Sequence, residues 1–141
     1  MIDGLLNTST LPALERSLQF MSARQRLLAG NLANAETPGF RPVDVDPRAF
    51  QAALRDSLEQ GRIDSRGSLV FDDSAPVAFG PGGTELRPQV LAENVLFHDG
   101  NDRSMERLMQ KVTENVYAFR MAAQMLRGQF DTLNTAIRER P

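Results

Sequence analysis

Two unbroken heptad stripes, one near each end of the chain, constrain what this sequence can fold into more than any other feature. Leu11, Leu14, Leu18, Met21, Gln25, Leu28, Leu32 and Ala35 recur at spacings of 3, 4, 3, 4, 3, 4 and 3, with Gln25 the one polar member. Near the other end, Met105, Met109, Val112, Val116, Phe119, Ala123, Leu126, Phe130, Leu133 and Ile137 alternate spacings of 4 and 3 throughout. Such a period lines one face of a helix with apolar side chains that seek a partner. The first stripe predicts a helix from Thr10 to Ala35. Thr10 caps it, Pro12 sits in its first turn where a missing N–H does little harm, and it stops before Pro38. The second predicts a helix opening at Ser104 as N-cap and running about 50 Å at ~1.5 Å per residue.

The two stripes pack most simply on each other, so the expected fold is mainly α: an antiparallel coiled-coil pair of N- and C-terminal helices around a central short helix and an extended, loop-rich segment. Three stretches follow: residues 1–40, the first helix and its exit turn; 41–103, a mixed central segment; and 104–141, the second helix. The two ends form one structural unit. Breakers and charge divide the same way. Seven of ten glycines and six of eight prolines fall between Glu36 and Asp102. Residues 1–35 carry +1, residues 36–103 carry -5 and residues 104–141 carry +2, summing to -2.

A narrow seam does not absorb every apolar residue. Phe20, Ala23 and Leu27 form a second face on the first helix, and Ala118, Met121, Ala122 and Met125 one on the second. A two-stranded coiled coil leaves such faces wet. Either the central segment covers them or other subunits do; the second reading is the expectation, with order gained on assembly. In the centre, Asp46 and Pro47 mark a helix start, Ala49, Phe50, Ala53, Leu54 and Leu58 its apolar face, and Gly61 its end. Beyond it, 68–71, 77–79 and 84–91 read as short strands. Pro76, Pro81, Pro88 and the Gly80–Gly83 turn interrupt them, and this part is expected to be mobile in a lone subunit.

Candidates for chemistry are few. Cysteine is absent and His98 is the sole histidine, which removes thiolate sites, disulfides and histidine clusters. Gly80–Gly83 lacks the Lys-Ser/Thr of a phosphate loop, and Asp72-Asp73 reads as a solvated acidic pair. Glu85 and Glu93 are the only acids nameable for glycoside hydrolysis, and nothing joins them. Arg24, Arg26, Arg120, Arg127, Arg138 and Arg140 lie on helix surfaces without interleaved aromatics on the same face, a pattern suited to salt bridges between helices and not to nucleic acid. No catalytic, cofactor-binding or metal-binding residue is expected, and no small-molecule substrate. The N-terminus has neither a basic n-region nor an apolar h-region, so a standard secretory signal is not expected.

One segment is unusual physically. Gly30, Asn31 and Asn34 are weak helix formers in the last turns of a long helix, and Thr37-Pro38-Gly39 is a strong turn signal. Taken together, Asn31-Leu32-Ala33-Asn34-Ala35-Glu36-Thr37-Pro38-Gly39-Phe40 resembles, without a gap, the signature of the rod, hook and axial proteins of the bacterial flagellum. Arg24-Gln25-Arg26, Val43-Asp44-Val45-Asp46, Asp99-Gly100-Asn101, and Thr113-Glu114-Asn115 followed by Tyr117 are similar to the proximal-rod branch of that family. Arg103-Ser104 and Pro47 depart from its pattern, Pro47 standing where an aromatic is usual.

The resemblance implies a structural subunit of the flagellar basal-body rod, and not an enzyme. Such a subunit is exported unfolded by the flagellar type III apparatus without a cleaved signal peptide. It self-associates and assembles in the periplasm with other rod subunits into a helical tube that transmits torque and houses the export channel. At its base the tube meets an adaptor rod protein, the membrane ring and the export apparatus. Asn31, Leu32, Ala33, Asn34, Thr37, Pro38, Gly39 and Phe40 would be the assembly motif, with the two stripes as the seam. Another short rod subunit, or a coiled-coil export adaptor or chaperone, is the alternative; an adaptor would have no reason to carry the Asn31–Phe40 signature.

Overall fold

In a computed structural model of the chain, residues 10–65, 67–80, 82–90 and 105–138 are described. Their order is α1 (Thr10–Ala33), β1 (Val43–Asp44), α2 (Pro47–Glu59), β2 (Val77–Gly80), β3 (Gly83–Leu86), β4 (Gln89–Val90) and α3 (Met105–Arg138). The fold is mainly α, with two small antiparallel ribbons. The proposed cap Ser104, His98, Glu93 and Asp99-Gly100-Asn101 lie outside the described residues.

Local chemistry accounts for the element boundaries. α1 ends at Ala33, two residues before the expected Ala35, because the last turn tightens: Ala35 N–H bonds Leu32 C=O at 3.3 Å, the shorter-range bonding usual at frayed helix ends. α2 begins where expected. Asp46 accepts from Arg48 N–H at 2.9 Å and Pro47 fills the first helical position, where proline has no N–H to waste. Pro47 thus has a helix-starting role that an aromatic would not supply.

The strands correct the expected pattern in two places. Residues 68–71 form no strand but a single bridge, Ile63 to Leu69, beside a bond from Val70 N–H to Arg62 C=O at 2.8 Å. The expected 84–91 strand is broken at Arg87-Pro88 into β3 and β4, since proline cannot donate to a ladder. β2 and β3 form a hairpin in register Val77 to Leu86 through Gly80 to Gly83. β4 leaves it to pair with β1, Val43 opposite Val90, so the first and last parts of the central segment meet.

The core sits where α1 meets the central segment. Phe20, Val45, Phe50 and Val77 are buried together, with Leu27, Leu54, Phe71 and Phe79 packed against them. Phe20 and Phe50 stack with centroids 4.0 Å apart, Phe50 and Phe71 follow at 5.8 Å, and Phe71 and Phe79 at 5.0 Å. Offset and tilted aromatic pairs add to area burial. The Arg16 guanidinium lies 4.5 Å from the Phe79 centroid and returns the series to α1. This corrects one expectation. The second face of α1 is covered by the chain's own central segment, with Phe20 and Ala23 buried, because Phe50, Phe71 and Phe79 from three places in the sequence form a stack that begins on Phe20. On α3, by contrast, Met121 and Met125 remain exposed at 61% and 54%.

Candidate functional site

Just beyond the exit from α1, side chains tie α1, β1 and α3 together. The first component of the exit is the turn. Phe40 N–H bonds Thr37 C=O at 3.1 Å, and Gly39 has φ +77°, so Thr37-Pro38-Gly39-Phe40 is a type II turn with Gly39 at the position that demands positive φ. The turn sends the chain back along α1.

The returning chain is received by Asn31. This side chain is buried; its Nδ2 donates to Val43 C=O at 2.6 Å and its Oδ1 accepts from Val43 N–H at 3.3 Å. A primary amide suits this because it carries a donor and an acceptor on one plane. Asn31 thus bonds the strand that follows the turn and not the turn itself. Asn34 is exposed and its Nδ2 bonds back to Gly30 C=O at 2.8 Å, satisfying a carbonyl of the helix end. Leu32 is half-buried, Ala33, Thr37, Pro38 and Gly39 are exposed, and Phe40 is half-buried.

One residue further, Asp44 meets Arg24. Arg24 Nε donates to Oδ1 at 2.8 Å and Nη2 to Oδ2 at 2.7 Å, with the two residues 5% and 6% exposed. Val45 N–H also donates to Oδ1 at 2.8 Å, and Lys111 Nζ approaches Oδ2 to 3.4 Å from α3. Burial pushes the Asp44 carboxyl up, but its bonds and charge attraction to Arg24, with Val45 and Lys111, outweigh that and hold it below the ordinary aspartate range. One carboxylate therefore ties α1, β1 and α3. Arg24 is not a surface arginine bridging two helices, as its position on a helix suggests: its partner is a strand residue and the pair is buried. Asp44 and Lys111 were missed as structural residues. The available signals were an acid between two valines, and Lys111 four residues before Asn115.

Asn115 completes the contact of α3 with α1. Its Nδ2 donates to Met21 C=O at 2.9 Å and to Gln25 Oε1 at 2.8 Å, so the polar member of the first stripe does face α3. Leu108, Asn115 and Ala122, seven residues apart, are the buried positions of α3. This rotates the seam from the expected one. Val112, Val116, Leu126 and Leu133 are half-buried, but Met105, Met109, Phe119, Phe130 and Ile137 are exposed, Phe130 by 52% and Ile137 by 72%. Small Ala122 and hydrogen-bonding Asn115 let α3 sit close to α1; the bulkier row turns outward. On α1, Leu28 is buried and Leu11, Leu14, Leu18 and Met21 are half-buried.

Among the described residues no group of three His, Asp or Glu side chains could hold a metal ion, and no helix is long and apolar enough to cross a membrane.

No protein-family model matches the chain. The flagellar basal body rod protein FlgB of Proteus mirabilis is 30% identical over 145 residues, covering 99% of both chains. Its namesake in Escherichia coli K12 is 29% identical over 119 residues, covering 82% of this chain and 83% of the relative. That of Bacillus subtilis is 21% identical over 132 residues, at 94% and 95%. The likeness therefore spans the central segment and its ribbons as well as the two end helices, and the chain belongs to the flagellar basal body rod protein FlgB family.

Proposed function

We propose that this chain works as a structural subunit of the proximal rod of the flagellar basal body. The observation that carries the reading is the end-to-end likeness to the basal body rod protein FlgB of Proteus mirabilis, 99% of each chain. Membership of that family supports a structural role in place of catalysis.

The finer parts of the reading rest on the geometry. α1 and α3 serve as an antiparallel coiled-coil pair, and the Asn115 bonds to Met21 and Gln25 support that pairing. Residues 1–40 and 104–141 act as one assembly unit, with 41–103 clamped to it through Arg24, Asp44 and Lys111. The Asn31–Phe40 motif sets the angle at which the central segment leaves α1. The outward members of the α3 stripe meet neighbouring rod subunits, and at the base an adaptor rod protein joined to the membrane ring and export apparatus. Passage through the flagellar type III apparatus brings the subunit to the periplasm.

The test is complementation. Cells lacking this chain should be non-motile and should build basal bodies without a rod, and the chain supplied in trans should restore both. Swimming cells without it would end the reading.

A further inference from the structure

Beside the α1–α3 contact runs an open groove. Met21 and Gln25 of α1 and Val116 and Phe119 of α3 line its floor, with Arg26 on one rim and Arg120 on the other. Farther along α3 the same row holds the half-buried Ala123, Leu126 and Leu133 and the exposed Phe130 and Ile137. Arg120, Arg127 and Arg138 stand seven and eleven residues apart, spacings that return to within about 20° of one helix azimuth. They therefore form a basic edge along the apolar row.

We propose that this groove and row dock an amphipathic helix of a different subunit, one whose apolar face is edged by carboxylates. The inference rests on the rod-subunit reading for where that partner is met.

Charge selects the partner. Arg26, Arg120, Arg127 and Arg138 make no ion pair or side-chain hydrogen bond with any described residue. From Asn115 to Arg138 the sequence holds three arginines against one acid, Asp131. An apolar strip rimmed by cations that pair with none of the described residues is complementary to a helix with the opposite rims. A second copy of this chain fits poorly. In α1 the one acid, Glu15, stands among Arg16, Arg24 and Arg26, and in α3 Glu106 and Glu114 are matched by Arg107 and Lys111, so neither end helix offers an acidic edge. Its remaining described helix, α2, mixes Arg48 and Arg55 with Asp56 and Glu59 and has no acidic edge. An anionic lipid surface is disfavoured at the groove, because its apolar floor lies between two helices.

Two synthetic helical peptides with one shared leucine-rich face, edged wholly by Glu or wholly by Lys, provide the probe. Fluorescence anisotropy with the full-length chain should show the Glu-edged peptide binding about tenfold tighter or more, with the advantage shrinking as salt rises. The double variant Arg26→Glu, Arg120→Glu should invert that preference while its circular dichroism stays unchanged. Equal binding of both peptides, or a preference that survives the double variant, overturns the proposal. So does self-association of the free chain that the double variant abolishes, which would make a second copy the occupant. Co-sedimentation with phosphatidylglycerol vesicles in preference to the Glu-edged peptide would overturn it in favour of a membrane. Complementation by the unaltered chain separates the two readings. Swimming restored with no peptide discrimination removes the docking site alone; discrimination without complementation removes the rod-subunit reading alone.

Discussion

Arg24 and Asp44 face each other through two parallel hydrogen bonds of 2.8 and 2.7 Å, both residues almost wholly out of solvent. The fork of a guanidinium matches a carboxylate in a way an ammonium does not. Removing one member of such a pair leaves a buried charge uncompensated. Arg24→Ala should therefore lower unfolding stability by about 3–5 kcal/mol in urea titration, toward the lower end because Lys111 remains near. Arg24→Lys should recover part of this loss and no more. A change below ~1 kcal/mol for the alanine variant would mean that Asp44 finds another partner.

The same carboxylate should make stability depend on acid. Burial alone would raise its pKa, and Arg24, Val45 N–H and Lys111 reverse this, leaving it lower in the folded chain than in the unfolded one. A depressed carboxyl contributes stability above its unfolded pKa, and that contribution is lost as pH falls through the folded value. Stability from this source should be level from neutral pH to about pH 5, then decline through and below about pH 4. Urea midpoints against pH should show the decline in the unaltered chain and a shallower one in Asp44→Asn, which starts from a lower plateau. Parallel curves would sink the assignment.

Asn31 and Asn34 carry the same side chain at opposite levels of burial. Asn31→Ala deprives both polar groups of Val43 of their partner and should cost about 1–3 kcal/mol. Asn34→Ala removes one exposed back-bond to Gly30 and should stay within about 0.5 kcal/mol. The difference between them, measured by chemical denaturation, is the expected result; equal costs would contradict the geometry.

At Gly39 a Cβ would meet nothing within 4 Å, yet φ is +77°. The penalty for a side chain there is conformational and not steric crowding. Gly39→Val should cost about 1–2 kcal/mol and misdirect Phe40, whereas Gly39→Asn tolerates the left-handed region and should lose less. Motility should follow the same order. Two variants that melt and swim alike would refute the turn as the cause.

Phe20 and Phe130 separate folding from assembly. Phe20→Ala opens the aromatic core and should cost about 3–5 kcal/mol in the isolated chain. Phe130 is 52% exposed, so Phe130→Ala should change that stability by less than ~1 kcal/mol and still block rod formation. Normal motility with Phe130→Ala would show that its exposed face meets no neighbour.

What the sequence determined by itself was local. Asp46 and Pro47 start α2, Pro38 and Gly39 impose the turn, and Pro88 splits a strand, because each acts through backbone torsions or hydrogen bonds within a few residues. The two stripes likewise specify two long helices. Which flank of the second stripe faces α1 was decided only in three dimensions. A heptad row identifies an apolar face about half a helix wide but not the rotation of that helix about its axis, and the buried bonds of Asn115 to Met21 and Gln25 select it. The Arg24–Asp44–Lys111 cluster was illegible for a related reason. Its members lie 20 and 67 positions apart, each is an ordinary surface residue by type, and only the reversal after Gly39 brings their charges within reach of one another.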